Sequence, residues 1–377
     1  MKKNKKKKIL FLSNLDSFFI SHRLEVGKSM LKEGYEVHLA TEFTKYKNKL
    51  SKMGFKTHHI NFNRNSLNLI KSIKPLFQIF LLYKNLNPNL VHHISLKPMV
   101  FGGFATLFTP IKSVVASVTG LGSIYLGIGI GFKIKKIIIN FILFILFLKK
   151  NLRVIVQNYS DYKYLVNKTK IKKFKLVIIK GSGIDLKRFK YSKIKVKNPL
   201  ILMASRLIAD KGIYEYILSI KHLKKSGFKG KFYLVGNIDF ENPSAVKYSE
   251  LNLWKKEKII NYHKHTNKIQ NYIKKSSIVV LPSYREGFPK ILLEAAACGR
   301  PVITTKVPGC KDAIINGKTG ILIPPKNYIE LAKAIKFLSK DKKKLKLMSR
   351  NSRKYAEQNF NVRNVVSKHI QIYKSLD

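Results

Sequence analysis

Residues 283–301 read SYREGFPKILLEAAACGRP and closely follow a short apolar run, Ile278–Leu281. The run has the length and composition of a buried strand, and the polar segment 283–288 indicates a loop. An apolar helical pattern then opens at Pro289, in the part of a helix where proline is best tolerated. This stretch predicts a strand–loop–helix unit of a parallel α/β sheet, with polar side chains at the carboxyl end of the strand.

The same alternation of short apolar runs and helix-length amphipathic segments continues along the chain. Apolar runs without alternation are typical of parallel strands covered on both faces. The pattern pauses in the lysine-rich stretch 181–198 and restarts at 200. We therefore predict two doubly wound α/β domains, residues 1–185 and 199–355, with a C-terminal helix within 356–377 that packs toward the N-terminal domain. The predicted strands are 9–13, 36–41, 90–95, 113–118, 153–157, 176–179, 200–204, 232–235, 278–281, 301–305 and 321–323, and the predicted helices include 21–33, 72–85, 212–225, 289–298, 328–339 and 343–358.

The chain is long enough for two cores and is extremely basic. Its 377 residues are 45% hydrophobic, and 74 Lys and Arg against 20 Asp and Glu give a formal net charge of +54. Such a field favours an anionic partner, whether nucleic acid, an acidic membrane surface or a phosphorylated substrate, although biased lysine usage could account for any single lysine. Zinc-finger spacing and aromatic-and-basic RNA-binding motifs are absent from the sequence, so we expect no nucleic-acid partner.

Cysteine usage and the N-terminus bear on the compartment. Cys298 and Cys310 do not have metal-ligand spacing, which favours a reducing compartment over a disulfide-built secreted protein. The basic stretch 1–8 precedes an apolar run that is too short for the core of a signal peptide. We expect a cytoplasmic protein, and no His, Asp or Glu cluster of the sequence predicts a metal site.

One segment departs from the α/β pattern. Residues 137–148 read IIINFILFILFL and are flanked by lysines on both sides. Twelve apolar residues are too few to span a bilayer, for which about 20 are needed. Two alternatives stay open: a core helix, or a helix within a membrane-associating segment near 124–150, with its apolar face in the lipid and its lysines at anionic headgroups.

Two groups of charged residues could carry chemistry. Glu286 lies in the loop after a predicted strand, and Glu294 lies inside an apolar helix, where a carboxylate needs a partner such as a ribose diol or a surface lysine. Arg206 and Lys211 follow the predicted strand 200–204, and Lys211 just precedes a predicted helix. Two cations in that position can form an anion cradle for a diphosphate.

Together these segments resemble glycosyltransferase family 4, retaining enzymes of GT-B fold. Glu286 and Glu294, with seven residues between them, look like the Glu-x₇-Glu motif of that family. The resemblance implies two Rossmann-like domains facing a central cleft, with Glu294 on the donor ribose and Glu286 on the transferred sugar. It also implies a diphosphate-binding pair, Arg206 and Lys211, and donor contacts from the backbone of Gly287, Phe288, Pro289 and Lys290.

The N-terminal half resembles the subgroup that extends lipid-linked bacterial surface glycans. Residues 92–98 read HHISLKP, and the resemblance implies that His93 touches the donor sugar or positions the acceptor. A polar strand end is the alternative for this histidine pair. The loop after the first strand lacks the glycines that many relatives have, so acceptor-side contacts are assigned only as candidates: Asp16, His22, Gly120 and Gly122.

The resemblance implies a retaining glycosyltransferase that takes a UDP-linked sugar, an N-acetylhexosamine by likeness to the subgroup, and adds it to a polyprenyl-diphosphate-linked glycan or another surface-polysaccharide precursor. The enzyme would work at the inner face of the cell membrane, without a cofactor or metal, because Arg, Lys and a helix dipole would neutralise the diphosphate. Two alternatives remain: a GT-B-shaped sugar-nucleotide epimerase, and a non-enzymatic basic protein that binds membrane or nucleic acid.

Overall fold

The computed structural model describes residues 6–62, 69–121, 127 and 129–376. The chain divides into two compact units: unit 1 is Met1–Ser182 with Arg363–Asp377, and unit 2 is Gly183–Val362. The connection 183–198, expected to link the domains, thus belongs to unit 2. The reason is packing, since Phe189 is part of the unit 2 core and the Ile184 N–H donates to the Phe360 carbonyl at 2.7 Å.

Unit 1 is a parallel sheet flanked by helices. Its strands are β1 Lys8–Leu15, β2 Glu36–Glu42, β3 Lys56–His59, β4 Leu90–Ile94, β5 Ser113–Val118, β6 Leu152–Val156 and β7 Leu176–Ile178. They lie in the order β3-β2-β1-β4-β5-β6-β7. The accompanying helices are α1 Asp16–His22, α2 Leu24–Lys32, α3 Lys47–Lys52, α4 Leu69–Leu86, α5 Leu96–Ala105, α6 Ile130–Phe147 and α7 Tyr159–Thr169.

Unit 2 repeats this architecture with six parallel strands. They are β8 Leu200–Ala204, β9 Lys231–Val235, β10 Asn261–His263, β11 Ile278–Leu281, β12 Val302–Thr305 and β13 Gly320–Ile323. Their order is β10-β9-β8-β11-β12-β13, so the chain direction across the sheet reverses beside β8, as it does beside β1 in unit 1. The helices are α8 Ile213–Lys225, α9 Tyr248–Lys256, α10 Ile269–Lys275, α11 Lys290–Ala297, α12 Tyr328–Lys340 and α13 Lys342–Asn359.

The prediction of two doubly wound α/β domains is confirmed, and each predicted strand corresponds to a strand of the structure. β3 (KTHH) and β10 (NYH) were not predicted, because both are short, polar edge strands without an apolar run. The single helix predicted over 21–33 is wrong. Helix α1 starts at Asp16, and Arg23 (φ −135°) separates it from α2. The buried Arg23 guanidinium donates to the His22 carbonyl at 2.9 Å.

The last helix, α14 Val362–Lys374, belongs to unit 1 although the preceding helix belongs to unit 2. The Tyr373 hydroxyl lies 2.6 Å from Nδ1 of His92 in β4, and both side chains are buried. The Ser113 hydroxyl donates to the Leu376 carbonyl at 2.6 Å. These contacts join the C-terminus to the central strands of the unit 1 sheet.

The apolar segment 137–148 lies mostly within α6, which is partly buried and partly exposed. Leu143, Leu146 and Phe147 are buried, whereas Ile137 and Phe141 are 67% and 61% exposed. The segment is therefore not a core helix throughout, because large apolar side chains on one of its faces are exposed. Across the described parts of the chain, no helix is sufficiently long and apolar to cross a membrane.

Candidate functional site

Glu286 occupies the loop after β11 and is held by two side chains. Its Oε1 accepts a hydrogen bond from Lys211 Nζ at 2.5 Å and lies 2.8 Å from the hydroxyl of the fully buried Ser283. The Glu286 N–H donates to the Pro308 carbonyl at 3.2 Å. Both Lys211 and Glu286 are largely buried, so their ion pair is shielded from water and fixes the carboxylate firmly.

Two glycines bring the loops of this site together. Gly309 has a φ of +78°, and a Cβ there would lie 2.5 Å from the carbonyl oxygens of Glu286 and Gly287. Gly212, at φ +76°, follows Lys211, and a Cβ on it would lie 2.2 Å from the Pro282 carbonyl oxygen. Any other residue at either position would push the loops apart. The turn at Gly309 thus supports the Glu286 loop.

Arg206 follows β8 and pairs with the carboxylate of Asp239. Arg206 NH1 lies 2.6 Å from Oδ2 of Asp239, a residue that follows the adjacent strand β9. The Arg206 side chain is 49% exposed. Each of the two predicted diphosphate-binding cations thus has a carboxylate partner, Asp239 for Arg206 and Glu286 for Lys211. All four lie at the carboxyl ends of neighbouring strands, where doubly wound sheets bind ligands.

Glu294 lies within α11, which begins at Lys290 after Pro289. The start of α11 has no side-chain cap, so its first N–H groups retain their capacity to bind an anion or a hydroxyl. Glu294 is only 8% exposed, and its Oε1 lies 4.0 Å from Lys290 Nζ. Burial raises the pKa of Glu294 to about 7, although the charges of Lys290 and Arg188 act in the opposite direction. Sequence reasoning missed Arg188, because no local pattern distinguishes it from other basic residues.

His93, predicted to contact the donor sugar or the acceptor, is fully buried in unit 1. Its Nε2 lies 2.8 Å from the Tyr83 hydroxyl, and a Cβ on Gly102 would lie 2.5 Å from the same atom. Burial lowers the pKa of His93 to about 3, and the charge of Lys149 contributes to the shift. His93 is therefore neutral and fully buried in this structure, and its contact with the donor sugar or the acceptor stays a prediction.

Asp16, an acceptor-side candidate, is also buried. Its carboxylate accepts hydrogen bonds from the backbone N–H groups of Thr44 (3.0 Å) and Tyr46 (2.9 Å) and from the Thr44 hydroxyl (2.8 Å). Burial alone would raise the pKa of Asp16, but these hydrogen bonds outweigh it and the pKa is lowered. Asp16 anchors the loop after β2, and its oxygens are already used.

The other acceptor-side candidates are His22, Gly120 and Gly122, and their surroundings differ. The His22 ring stacks on Phe18 with centroids 4.1 Å apart and remains partly exposed. Gly120 has a φ of +126°, which only glycine adopts readily, so the backbone after β5 takes a glycine-specific path. Gly122 lies outside the described residues. Within the described ranges, no group of three or more His, Cys, Asp or Glu residues could hold a metal ion.

Two family models match the chain, one in each half. Residues 8–158 match "Glycosyl transferase 4-like" and residues 184–355 match "Glycosyl transferases group 1". The solved structure of sucrose-phosphate synthase from Thermosynechococcus elongatus superimposes with a TM-score of 0.82 at 19% identity, covering 98% of this chain and 99% of that one. That likeness concerns the fold.

Sequence relatives cover nearly the whole chain. The N,N'-diacetylbacillosaminyl-diphospho-undecaprenol alpha-1,3-N-acetylgalactosaminyltransferase of Campylobacter jejuni is 30% identical over 97% of this chain and 98% of its own length. The UDP-Gal:alpha-D-GlcNAc-diphosphoundecaprenol alpha-1,3-galactosyltransferase of Escherichia coli is 26% identical over 82% of this chain and 81% of its own length. The chain therefore belongs to glycosyltransferase family 4, the retaining glycosyltransferases of GT-B fold.

Proposed function

We propose that this glycosyltransferase transfers an N-acetylhexosamine from a UDP-sugar to a polyprenyl-diphosphate-linked glycan. The observation that carries the proposal is the Ser283–Glu286–Lys211 contact at the carboxyl ends of β8 and β11, which places an ordered carboxylate beside a cation. The names of the relatives supply the substrate classes. The C. jejuni relative transfers N-acetylgalactosamine to an undecaprenol-diphosphate-linked sugar, and the name of the E. coli relative specifies a UDP-linked donor.

In this proposal unit 2 binds the donor. Glu294, a buried carboxylate whose Oε1 lies 4.0 Å from Lys290 Nζ, accepts hydrogen bonds from the ribose hydroxyls. Arg206 and Lys211 exchange part of their interaction with Asp239 and Glu286 for the diphosphate. Glu286 stays held by Ser283 and turns its free oxygen toward a sugar hydroxyl. No metal is required, because two cations and the start of α11 together neutralise the leaving group.

The reaction then proceeds on one face of the sugar. The bond between the anomeric carbon and the diphosphate oxygen breaks, and the acceptor hydroxyl oxygen forms its bond from the same side. The acceptor proton passes to the departing diphosphate, so the enzyme needs no separate base. Its contribution is the alignment of the two substrates and the stabilisation of the charge that develops on the diphosphate.

We further propose that the enzyme works at the cytoplasmic face of an anionic membrane. The exposed apolar side of α6, the exposed lysines Lys133 and Lys135 and the partly exposed Lys136 support this placement. Apolar side chains can enter the interfacial region while lysines reach anionic headgroups. A polyprenyl-linked acceptor resides in the same membrane, so docking brings the enzyme to its substrate.

Donor and acceptor dependence can be tested directly. Purified enzyme is incubated with UDP-N-acetylgalactosamine, UDP-N-acetylglucosamine, UDP-galactose or UDP-glucose, with and without a synthetic polyprenyl-diphosphate sugar. We expect transfer from one UDP-N-acetylhexosamine, with retained anomeric configuration by NMR, only when the acceptor is present. Conversion of the donor to an epimer without acceptor would support the epimerase alternative and contradict the proposal, as would the absence of transfer from every donor.

The membrane placement has a separate test. Ile137→Ser with Phe141→Ser removes two exposed apolar side chains of α6 and should reduce flotation with vesicles that contain phosphatidylglycerol. Phe240→Ser in unit 2 is the matched control, because Phe240 is 76% exposed but lies outside α6. Equal vesicle binding by both variants would rule out α6 as the docking element.

A further inference from the structure

A pocket of about 430 Å³ lies in unit 1 at the carboxyl end of α6, distinct from the donor residues of unit 2. Its apolar side is formed by Phe144, Phe147 and Leu148 at the end of α6, together with Phe174. Phe147 is buried, whereas Leu148 and Phe174 are each 64% exposed. Large exposed side chains beside an open pocket are unusual in water and suggest an apolar ligand.

The pocket is also strongly basic. Lys150, Lys170 and Lys172 line it and are exposed, and Lys175, which also lines it, is buried. No carboxylate is found among the described residues that line the pocket. The lysine charges are thus not neutralised locally, and a bound anion would relieve their mutual repulsion.

Lys175 fixes the shape of the pocket. Its ammonium donates to the carbonyls of Phe147 at 2.9 Å and Lys149 at 2.7 Å, which would otherwise be unsatisfied at the end of α6. Burial lowers the pKa of Lys175, and the charges of Lys172 and Arg153 lower it further. The lysine is therefore committed to structure, and the three exposed lysines are the groups available to a ligand.

The pocket continues an apolar stripe along α6. Members of the stripe recur at intervals of three or four residues and therefore share one helix face: Ile130, Ile134, Ile137, Phe141, Phe144 and Leu148. Ile130 is 77% exposed at one end and Leu148 is 64% exposed at the other. Over 18 residues α6 is about 27 Å long. The stripe ends at the pocket, so a membrane that covers the stripe also brings its lipid headgroups to the lysines of the pocket.

We propose that this pocket binds the phosphate headgroup of one anionic bilayer phospholipid while the α6 stripe lies in the membrane interface. The phosphate contacts Lys150, Lys170 and Lys172, and the glycerol and first methylenes of the acyl chains pack on Leu148 and Phe174. Charge complementarity and continuity with the stripe favour a bilayer lipid over a free phosphate, which would leave the apolar side uncovered. The site adds a headgroup preference to the proposed membrane docking and is independent of glycosyl transfer.

The test uses soluble lipids, so that headgroup binding is separated from partitioning into a bilayer. Full-length protein is titrated with dihexanoylphosphatidylglycerol and with dihexanoylphosphatidylcholine below their micelle concentrations, and binding is followed by calorimetry. We expect the anionic lipid to bind at least about tenfold more tightly. The double variant Lys150→Glu/Lys172→Glu should remove that preference.

The matched control is Lys47→Glu/Lys52→Glu, which makes the same change in net charge on α3, beside the opposite edge strand of the sheet. It should keep the preference. Lys150→Gln/Lys172→Gln replaces the charge-reversed variant if that one does not fold, and should weaken binding in the same direction. Equal binding of the two lipids, or an equal effect of the control, would overturn the proposal. Farnesyl diphosphate is tested as a competitor of dihexanoylphosphatidylglycerol. If it binds more tightly than that lipid and displaces it, the pocket serves a prenyl diphosphate and the phospholipid assignment is wrong.

Discussion

Arg206→Ala is the substitution that best separates catalysis from folding in this protein. The Arg206 side chain is half exposed and forms an ion pair with Asp239. An ion pair with so much exposure contributes at most about 1 kcal/mol to the free energy of unfolding. Removing one group that stabilises developing charge in a transition state typically costs about 100- to 1,000-fold in kcat, or roughly 3–4 kcal/mol. The two effects therefore differ enough to be measured separately.

The assay compares kcat at saturating donor with the midpoint of urea unfolding for the same preparations. We expect Arg206→Ala to lose at least about 100-fold in kcat with less than about 1 kcal/mol of stability. Lys221→Ala is the matched control, because Lys221 is 45% exposed and pairs with Glu257 at 3.5 Å outside the candidate site. It should show the small stability effect alone. A folded Arg206→Ala protein with kcat within about threefold of the wild type would refute the assigned role of Arg206.

Three further predictions concern buried groups. Burial raises the pKa of Glu294 to about 7 from a usual value of 4.5, so between these pH values the folded state retains a proton that the unfolded chain releases. The wild type should therefore lose stability as the pH rises from 4.5 to 7. A series of urea unfolding curves should show a smaller loss for Glu294→Gln. Burial and the charge of Arg23 lower the pKa of His369 to about 3, so below pH 6.5 the unfolded chain takes up a proton that the folded state excludes. Acidification from pH 6.5 to 4 should therefore destabilise the wild type more than His369→Leu. Equal slopes of unfolding free energy against pH for the two proteins would contradict this reasoning. Gly309→Ala should lower kcat strongly, because its Cβ would displace the Glu286 loop, and circular dichroism should still show a folded protein. An unchanged kcat would contradict the role given to this loop.

Local sequence was sufficient for the architecture. Non-alternating apolar runs such as Ile278–Leu281 can be buried only between two layers, and helix-length segments between them require parallel crossovers. The pair of Glu286 and Glu294, with seven residues between them, is also a local feature, and it was enough to indicate the family. These features depend on neighbouring residues along the chain, so they could be recognised without knowing which distant segments meet.

Only the tertiary structure decided which of the polar residues are partners. Lys211 and Glu286 are 75 positions apart, and their contact depends on the order of β8 and β11 in the sheet. The sequence did not show that His93 and Asp16 are buried, because burial is set by the packing of separate helices on the strands. The burial of α6 was open for the same reason: its composition suits either a core or a membrane interface, and only the tertiary structure shows that Ile137 is exposed.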